Sequence, residues 1–376
     1  MPQYDVLVIG GGIAGVSIAY ELASSVKVGL LEMESTLAYH TTGRSAATWI
    51  GTYGSEPVRA LTRASYPFLV NPPADLYESP LTKPLRVLHV GGPGQRSDVE
   101  ALYEEVVGLT PTAHIVDAAG ALERCPVLRA DWVTAALVEP GALEVDVHAL
   151  HQGYRRGLRM RGGEVVVSAK VVGAERSGGS WTLTTASGEQ HGAAQVVIAA
   201  GAWADEVAAL FGVPPIGIEP RLRSAYMIAA PSGPELPMTM SIDTENAFYF
   251  KPDGAQLLCS PSDETLVDPG DAKPDELEIA RSIEAINEAT TLGIRSIRTP
   301  WAGLRNFVAD HSLVIGDDPL TEGLHWFAGQ GGYGIQTAPA AARLGAALLR
   351  GEPMPDDIAA TGLTVADVHP SRLVRA

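Results

Sequence analysis

Asp5-Val6-Leu7-Val8-Ile9-Gly10-Gly11-Gly12-Ile13-Ala14-Gly15 is followed by a second apolar run, Val28 to Leu31, which ends at Glu32. Val6 to Ile9 read as a buried strand, and Val16 to Ser24 as the helix after it. Gly10, Gly12 and Gly15 have the G-x-G-x-x-G spacing. Gly10 permits the tight turn, Gly12 lets a pyrophosphate approach the backbone, and Gly15 lets the helix pack on the strand. The helix start offers unpaired N–H groups to a phosphate. Glu32 lies 22 positions after Gly10, where a carboxylate accepts from ribose hydroxyls. Strand, turn, helix, second strand and acid fall in order, so the stretch reads as a dinucleotide site. It leaves open which dinucleotide binds.

The 376 residues exceed what one simple core needs, so two domains or one elaborated domain are expected. A hydrophobic content of 46% with 19% charged residues describes a soluble globular chain. The net charge of −17 argues against nucleic acid and anionic membranes as partners. It does not argue against a small anionic substrate, which needs only local positive charge. Cys125 and Cys259 form no C-x-x-C, so a disulfide framework, a zinc site and a dithiol redox centre are not expected. No cleavable signal is evident ahead of the first strand, and no apolar stretch reaches the ~18 residues of a spanning helix. A cytoplasmic location is the expectation.

Nucleotide-fold features recur at 4–35, near 146–205 and at 312–350, with alternating, strand-rich stretches between. The expected class is α/β: a Rossmann-type domain, discontinuous in sequence, and an α+β substrate domain on a mainly antiparallel sheet. The division expected is 1–84, 144–216 and 300–376 for the first domain, and 85–143 and 217–299 for the second. Ser35 to Gly54 is rich in glycine, serine and threonine and reads as a long surface loop. Ala194 to Ala200 reads as an apolar strand that turns at Gly201-Ala202-Trp203 into a helix, the usual ligand position in such a sheet.

A second glycine-rich turn, Gly329 to Gly334, precedes the helix of Ile335 to Arg350. Its backbone N–H groups would form an anion site of the kind that stabilises a reduced flavin. Alternatively it is a tight connection under a packed helix. Arg223 and Arg305 both sit among apolar neighbours. Two guanidinium forks in one pocket would hold a carboxylate, whereas a structural ion pair is the competing reading of either alone. Tyr249 follows Phe248, and Tyr53 ends the long loop, where a tyrosine can cover a pocket. His148 and His151 lack companion ligands, so no metal site is expected, and no G-x-S-x-G elbow suggests serine hydrolysis.

Together with the opening fingerprint, His40 to Ala47, Ala200 to Trp203, Trp301 to Arg305 and Gln330 to Thr337 resemble FAD-dependent amino-acid oxidoreductases of the D-amino-acid oxidase/glycine oxidase superfamily. Within it the likeness is strongest to bacterial D-arginine dehydrogenases. The resemblance implies bound FAD, held noncovalently, since no cysteine follows Arg305 where covalent relatives attach it. By position, Gly10, Gly12, Ile13, Ala14, Gly15, Glu32 and Met33 would hold the ADP half. Thr42, Gly43, Arg44, Ser45 and Ala47 would line pyrophosphate and flavin, and Val171 would meet adenine. Gly201, Trp203, Gly303 and the turn of Gly331, Gly332, Tyr333, Gly334, Ile335 and Gln336 would complete the cradle.

The resemblance also assigns Arg223 and Arg305 to the substrate carboxylate, Tyr249 and the lid residue Tyr53 to the substrate, and the Gly332 carbonyl to its amine. Two positions depart from the D-arginine dehydrogenase pattern: Val87 replaces a carboxylate, and Thr48 replaces a histidine. An unpaired buried guanidinium costs several kcal/mol, so apolar or aromatic D-amino acids are expected over D-arginine. The implied reaction is oxidative deamination to a 2-oxo acid and ammonia by hydride transfer from Cα to flavin N5. Electrons would pass on to oxygen or to a quinone-type acceptor. A glycine- or sarcosine-type amine oxidase and a non-catalytic FAD-binding sensor remain open alternatives.

Overall fold

The computed structural model describes residues 1–230 and 238–373. Its organising element is the opening strand, Gln3–Ile9, parallel both to Val28–Leu31 and to Gln190–Ile198. Its apolar stretch, Val6 to Ile9, lies in the middle of a parallel sheet and must be covered on both faces, and alternation divides these side chains accordingly. Val6 and Val8 join one core with Val28, Leu30 and the helix residues Val16 and Ile18. Leu7 and Ile9 join another with Leu31, Val196 and Ile198. Each such fully buried side chain contributes ~1.5–3 kcal/mol. The sheet runs Val314–Asp317, Leu324–Ala328, Gln190–Ile198, Gln3–Ile9, Val28–Leu31, Glu164–Val166, with Val171–Ser177 and Ser180–Thr185 added beside it.

Among the described residues the second sheet has nine strands, ordered Pro300–Phe307, Glu219–Ala229, Gln256–Ser260, Tyr249–Asp253, Thr239–Asp243, Thr82–Gly91, Ala135–Val145, Thr48–Trp49, with His114–Asp117 beside Ala135–Val145. All its pairings are antiparallel except that of Thr239–Asp243 with Thr82–Gly91. One face packs on the helices Ala118–Arg124 and Glu276–Ala289 through Tyr226, Phe250, Cys259 and Ile286. The other presents a smaller apolar group, including Val87, Met240 and Tyr249.

The chain is thus mixed α/β with a Rossmann-type cofactor half. We propose that its domains follow the two sheets. That moves two pieces of the sequence division, because Thr48–Trp49 and Pro300–Phe307 pair within the second sheet. Residues 231–237 and 374–376 of that division lie outside the described residues. The Ser35 to Gly54 stretch is not all loop either: Thr41–Arg44 is a 3-10 turn. No helix among the described residues is long and apolar enough to cross a membrane.

Candidate active site

The two sheets flank a cavity of about 1160 Å³. That exceeds the ~300–1,000 Å³ typical of small-molecule sites and leaves room for a dinucleotide with a substrate beside it.

At one end lies the opening turn. Gly10 has φ +111°, and a Cβ there would fall 2.4 Å from the carbonyl oxygen of Ala199. A Cβ on Gly15 would lie 1.8 Å from the Gly10 oxygen, so only glycine lets helix and strand approach this closely. Gly12 caps the helix Ile13–Leu22 without a side-chain bond of its own. Glu32 is buried and accepts from the N–H of Gly11 at 2.6 Å and of Glu34 at 2.8 Å. Each carboxylate oxygen keeps a further lone pair. Behind the turn, His151 Nε2 meets the Gly11 carbonyl at 3.0 Å. Burial holds the His151 pKa below its ordinary value, although the bond to Gly11 opposes this.

At the other end, the helix Gly334–Leu349 begins without a side-chain cap. Its Gln336 side chain turns inward, taking the N–H of Ile50 and donating to Thr62 Oγ1. The preceding turn is pinned where the N–H of Gly331 donates to the Asn306 carbonyl at 2.8 Å. Asn306 Oδ1 lies in the cavity wall, buried and without a partner among the described residues. An orphaned buried acceptor and an uncapped helix start form an incomplete polar shell, which a flavin and its phosphates would complete.

The second sheet supplies the third wall. Cross-strand register places Gly303 opposite Arg223, and Arg305 opposite Arg221. It also aligns Tyr249 with Ile242, and Ile242 with His89. Directly opposed residues share a face, so Arg223, Arg305 and Tyr249 all face the cavity. Arg223 Nη2 donates to Glu264 Oε1 at 3.1 Å, and Arg305 Nη2 donates to the same oxygen. Burial pushes the Glu264 carboxyl up, but Arg305 foremost, then Arg223 and Arg221, hold it below the usual carboxylate range. Burial disfavours the Arg305 charge, yet Tyr53, Glu264 and Tyr249 keep its pKa above the ordinary value. Arg305 Nη1 also donates to Tyr53 Oη at 3.1 Å. A Cβ on Gly332 would come 3.1 Å from Arg305 Nη1 and 3.2 Å from Tyr53 Oη, so any side chain there would crowd both groups.

Of the residues singled out in the sequence, the cavity wall includes Gly10, Gly12, Ile13, Ala14, Glu32, Met33, Thr42, Arg44, Ser45 and Ala47. It also includes Thr48, Tyr53, Val171, Gly201, Trp203, Arg223, Tyr249, Gly303, Arg305, Gly331, Gly332, Gly334, Ile335 and Gln336. Gly15, Gly43, Tyr333 and Val87 are not part of it. Gly43 is a packing glycine whose Cβ would strike the Ala38 oxygen at 2.3 Å. Tyr333 packs edge-on against Tyr53 with ring centroids 4.8 Å apart. The Arg44 guanidinium is turned away, to Asp271 and the carbonyls of Ala272 and Ala302.

Val87 corrects one expectation. It is fully buried, and directly opposite it on the next strand stands Glu139, which does line the cavity. The wall therefore carries a carboxylate after all, with both oxygens engaged: His89 Nε2 lies 2.7 Å from one, and Thr52 Oγ1 donates to the other at 2.6 Å. Glu139, His89, Thr52 and Glu264 were missed in the sequence; strand register brings Glu139 and His89 to the wall, whereas Thr52 and Glu264 lie outside the strands and carry no such signal.

The FAD dependent oxidoreductase family profile, DAO, matches residues 5–348. The chain belongs to this family. Over 90% of its length it is 28% identical to "FAD-dependent oxidoreductase domain-containing protein 1" of Bos taurus, covering 79% of that protein. It is also 28% identical to glycine oxidase of Bacillus licheniformis, covering 94% of both chains. Its fold matches the crystal structure of glycine oxidase from Geobacillus kaustophilus with a TM-score of 0.82 at 22% identity, over 97% of this chain and 99% of that one. The cofactor of this family member is FAD, and the protein is an FAD-dependent oxidoreductase. Both cysteines are buried outside the cavity wall.

Proposed function

We propose that this protein oxidises α-amino acids at the Cα–N bond, and that its substrates are D-amino acids with apolar or aromatic side chains, converted to 2-oxo acids and ammonia. The observation that carries the reading is the Arg223–Arg305 pair converging on one carboxylate oxygen. A substrate carboxylate would take the place that the Glu264 side chain holds. FAD, when bound, supplies the acceptor for the hydride that leaves Cα.

The remaining work falls to the protein. Arg223 and Arg305 fix the carboxylate by charge-assisted bonds, and this orientation lowers the barrier by fixing the reacting geometry beforehand. The Gly332 carbonyl takes an amine N–H. Tyr53 and Tyr249 cover the substrate, and the side chain rests against Ile50, Met240 and Ile242. Each Glu139 oxygen already holds one bond, to Thr52 or to His89, which makes Glu139 a poorer partner for a distal guanidinium than an unbonded carboxylate. The amine proton passes to solvent, and water hydrolyses the resulting imine.

A second reading, oxidation of glycine or an N-methylated glycine, is favoured by the glycine oxidase relative. It needs the same carboxylate clamp and no side-chain pocket. The two are separated by measuring 2-oxo acid and ammonia from D-Leu, D-Met, D-Phe, D-Arg, glycine and sarcosine. Turnover of the apolar D-amino acids supports the first reading. Turnover confined to glycine and sarcosine replaces it with the second.

A further inference from the structure

The Ile50 to Gly54 strap carries Tyr53 and is held at three points. The Ile50 N–H donates to Gln336 Oε1 at 3.2 Å, and Arg59 Nη1 donates to the Gly54 carbonyl at 2.8 Å. Between these, Thr52 Oγ1 donates to Glu139 Oε2 at 2.6 Å. The first two anchors lie on helices, whereas Glu139 lies on the second sheet, the one that carries Arg223 and Arg305.

Glu139 is only 4% exposed. Burying a carboxylate is costly unless it is well bonded. Here its partners are Thr52 and His89, with no lysine or arginine among the described residues. His89 Nε2, 2.7 Å away, fixes the orientation of the carboxylate so that its second oxygen points at the strap. The residue next to Thr52 is Tyr53, whose hydroxyl receives a bond from Arg305 Nη1 at 3.1 Å. Once Arg305 donates to a substrate carboxylate, that bond competes with a stronger acceptor. The Thr52–Glu139 bond does not compete with substrate at all, so it can keep the strap in register with the sheet.

We propose that Glu139 is a positioning residue, which grips Thr52 so that Tyr53 stays against Arg305 when a carboxylate occupies the arginine pair. The role rests on the carboxylate clamp of the proposed function. It requires no contact between Glu139 and substrate.

The test uses the FAD-loaded protein and reads binding of benzoate, a plain carboxylate, from the change in flavin absorbance. Thr52→Val removes the donor and keeps the shape. Its benzoate Kd should rise about tenfold, the scale of one lost hydrogen bond to a charged acceptor, while Thr52→Ser should restore it. In a Tyr53→Phe background the further change Thr52→Val should have no effect, because the hydroxyl being positioned is gone. Benzoate Kd values within twofold of wild type for Thr52→Val would overturn the proposal, as would effects of the two substitutions that simply add. If Thr52→Val fails to hold FAD, Glu139→Gln takes its place under the same criteria. Failure of the amino-acid reading shows separately, as benzoate binding by a wild-type flavin that no amino acid reduces.

Discussion

Arg223 and Arg305, on neighbouring antiparallel strands, donate to one and the same oxygen, Glu264 Oε1. Two guanidinium groups that converge so closely repel each other unless an anion lies between them. The protein supplies that anion from a half-exposed side chain, which a substrate carboxylate can replace without leaving either arginine unpaired.

Replacing Arg305 by alanine should therefore damage substrate binding far more than cofactor binding. Truncating one partner of a buried charge pair costs ~2–5 kcal/mol, so kcat/KM should fall by roughly thirty- to several-thousandfold. Steady-state kinetics together with the FAD-to-protein ratio checks this. Near-normal KM in the variant would remove Arg305 from the carboxylate site.

Glu264→Gln should act in the opposite direction. An amide carries no charge to compete with substrate, so KM for an amino acid should drop severalfold with FAD content unchanged. Because the Arg305 and Arg223 charges hold the Glu264 carboxyl below the usual range, wild type keeps this competitor ionised at neutral pH. The stability that the ion pairs add is present above the ordinary carboxylate pKa and lost as pH falls through the lowered one. A KM that rises in Glu264→Gln would instead make Glu264 part of the substrate site.

Gly15→Ala should cost the protein its FAD. The new Cβ falls 1.8 Å from the Gly10 oxygen, so the helix must move off the strand that forms the phosphate turn. Overpacking of this kind destabilises by ~1–3 kcal/mol or more. Gly108→Ala is the control, since a Cβ there meets nothing within 4 Å and the residue lies outside the cavity wall. Melting temperature and flavin absorbance should fall in the first variant and hold in the second.

His151 gives the phosphate turn a dependence on pH. Its pKa is lowered in the folded protein, chiefly by burial. The stability it contributes is thus complete above the unfolded value of ~6.5 and declines as pH falls through the lowered one. His151→Gln keeps a donor for the Gly11 carbonyl and removes the titration. Between pH 7.5 and pH 5.5 the wild type should lose more melting temperature than the variant. Equal losses would show that His151 does not govern this range.

The cofactor end of the molecule was legible because its signals are local. Val6 to Gly15 encodes strand, turn and helix in consecutive residues, and Gly331 to Gln336 encodes a second helix start. The substrate end was less so, because its contacts are made by register. Pro300–Phe307 contains a proline and a glycine, which weaken a strand pattern, and its identity as a strand comes from pairing with Glu219–Ala229. Glu139 reaches the cavity wall only because its strand pairs Val87 with it. Glu264 lies in an irregular segment between Gln256–Ser260 and the helix Glu276–Ala289, where no periodicity points to Arg223 and Arg305.

The most direct test of a carboxylate-anchored amino-acid oxidation is anaerobic mixing of the FAD-loaded protein with D-leucine, L-leucine and 3-methylbutylamine, which lacks the carboxylate. The account predicts rapid bleaching of the oxidised flavin absorbance by D-leucine, with the other two slower by at least a hundredfold. Bleaching by 3-methylbutylamine as fast as by D-leucine, or no bleaching by D-leucine, would contradict it.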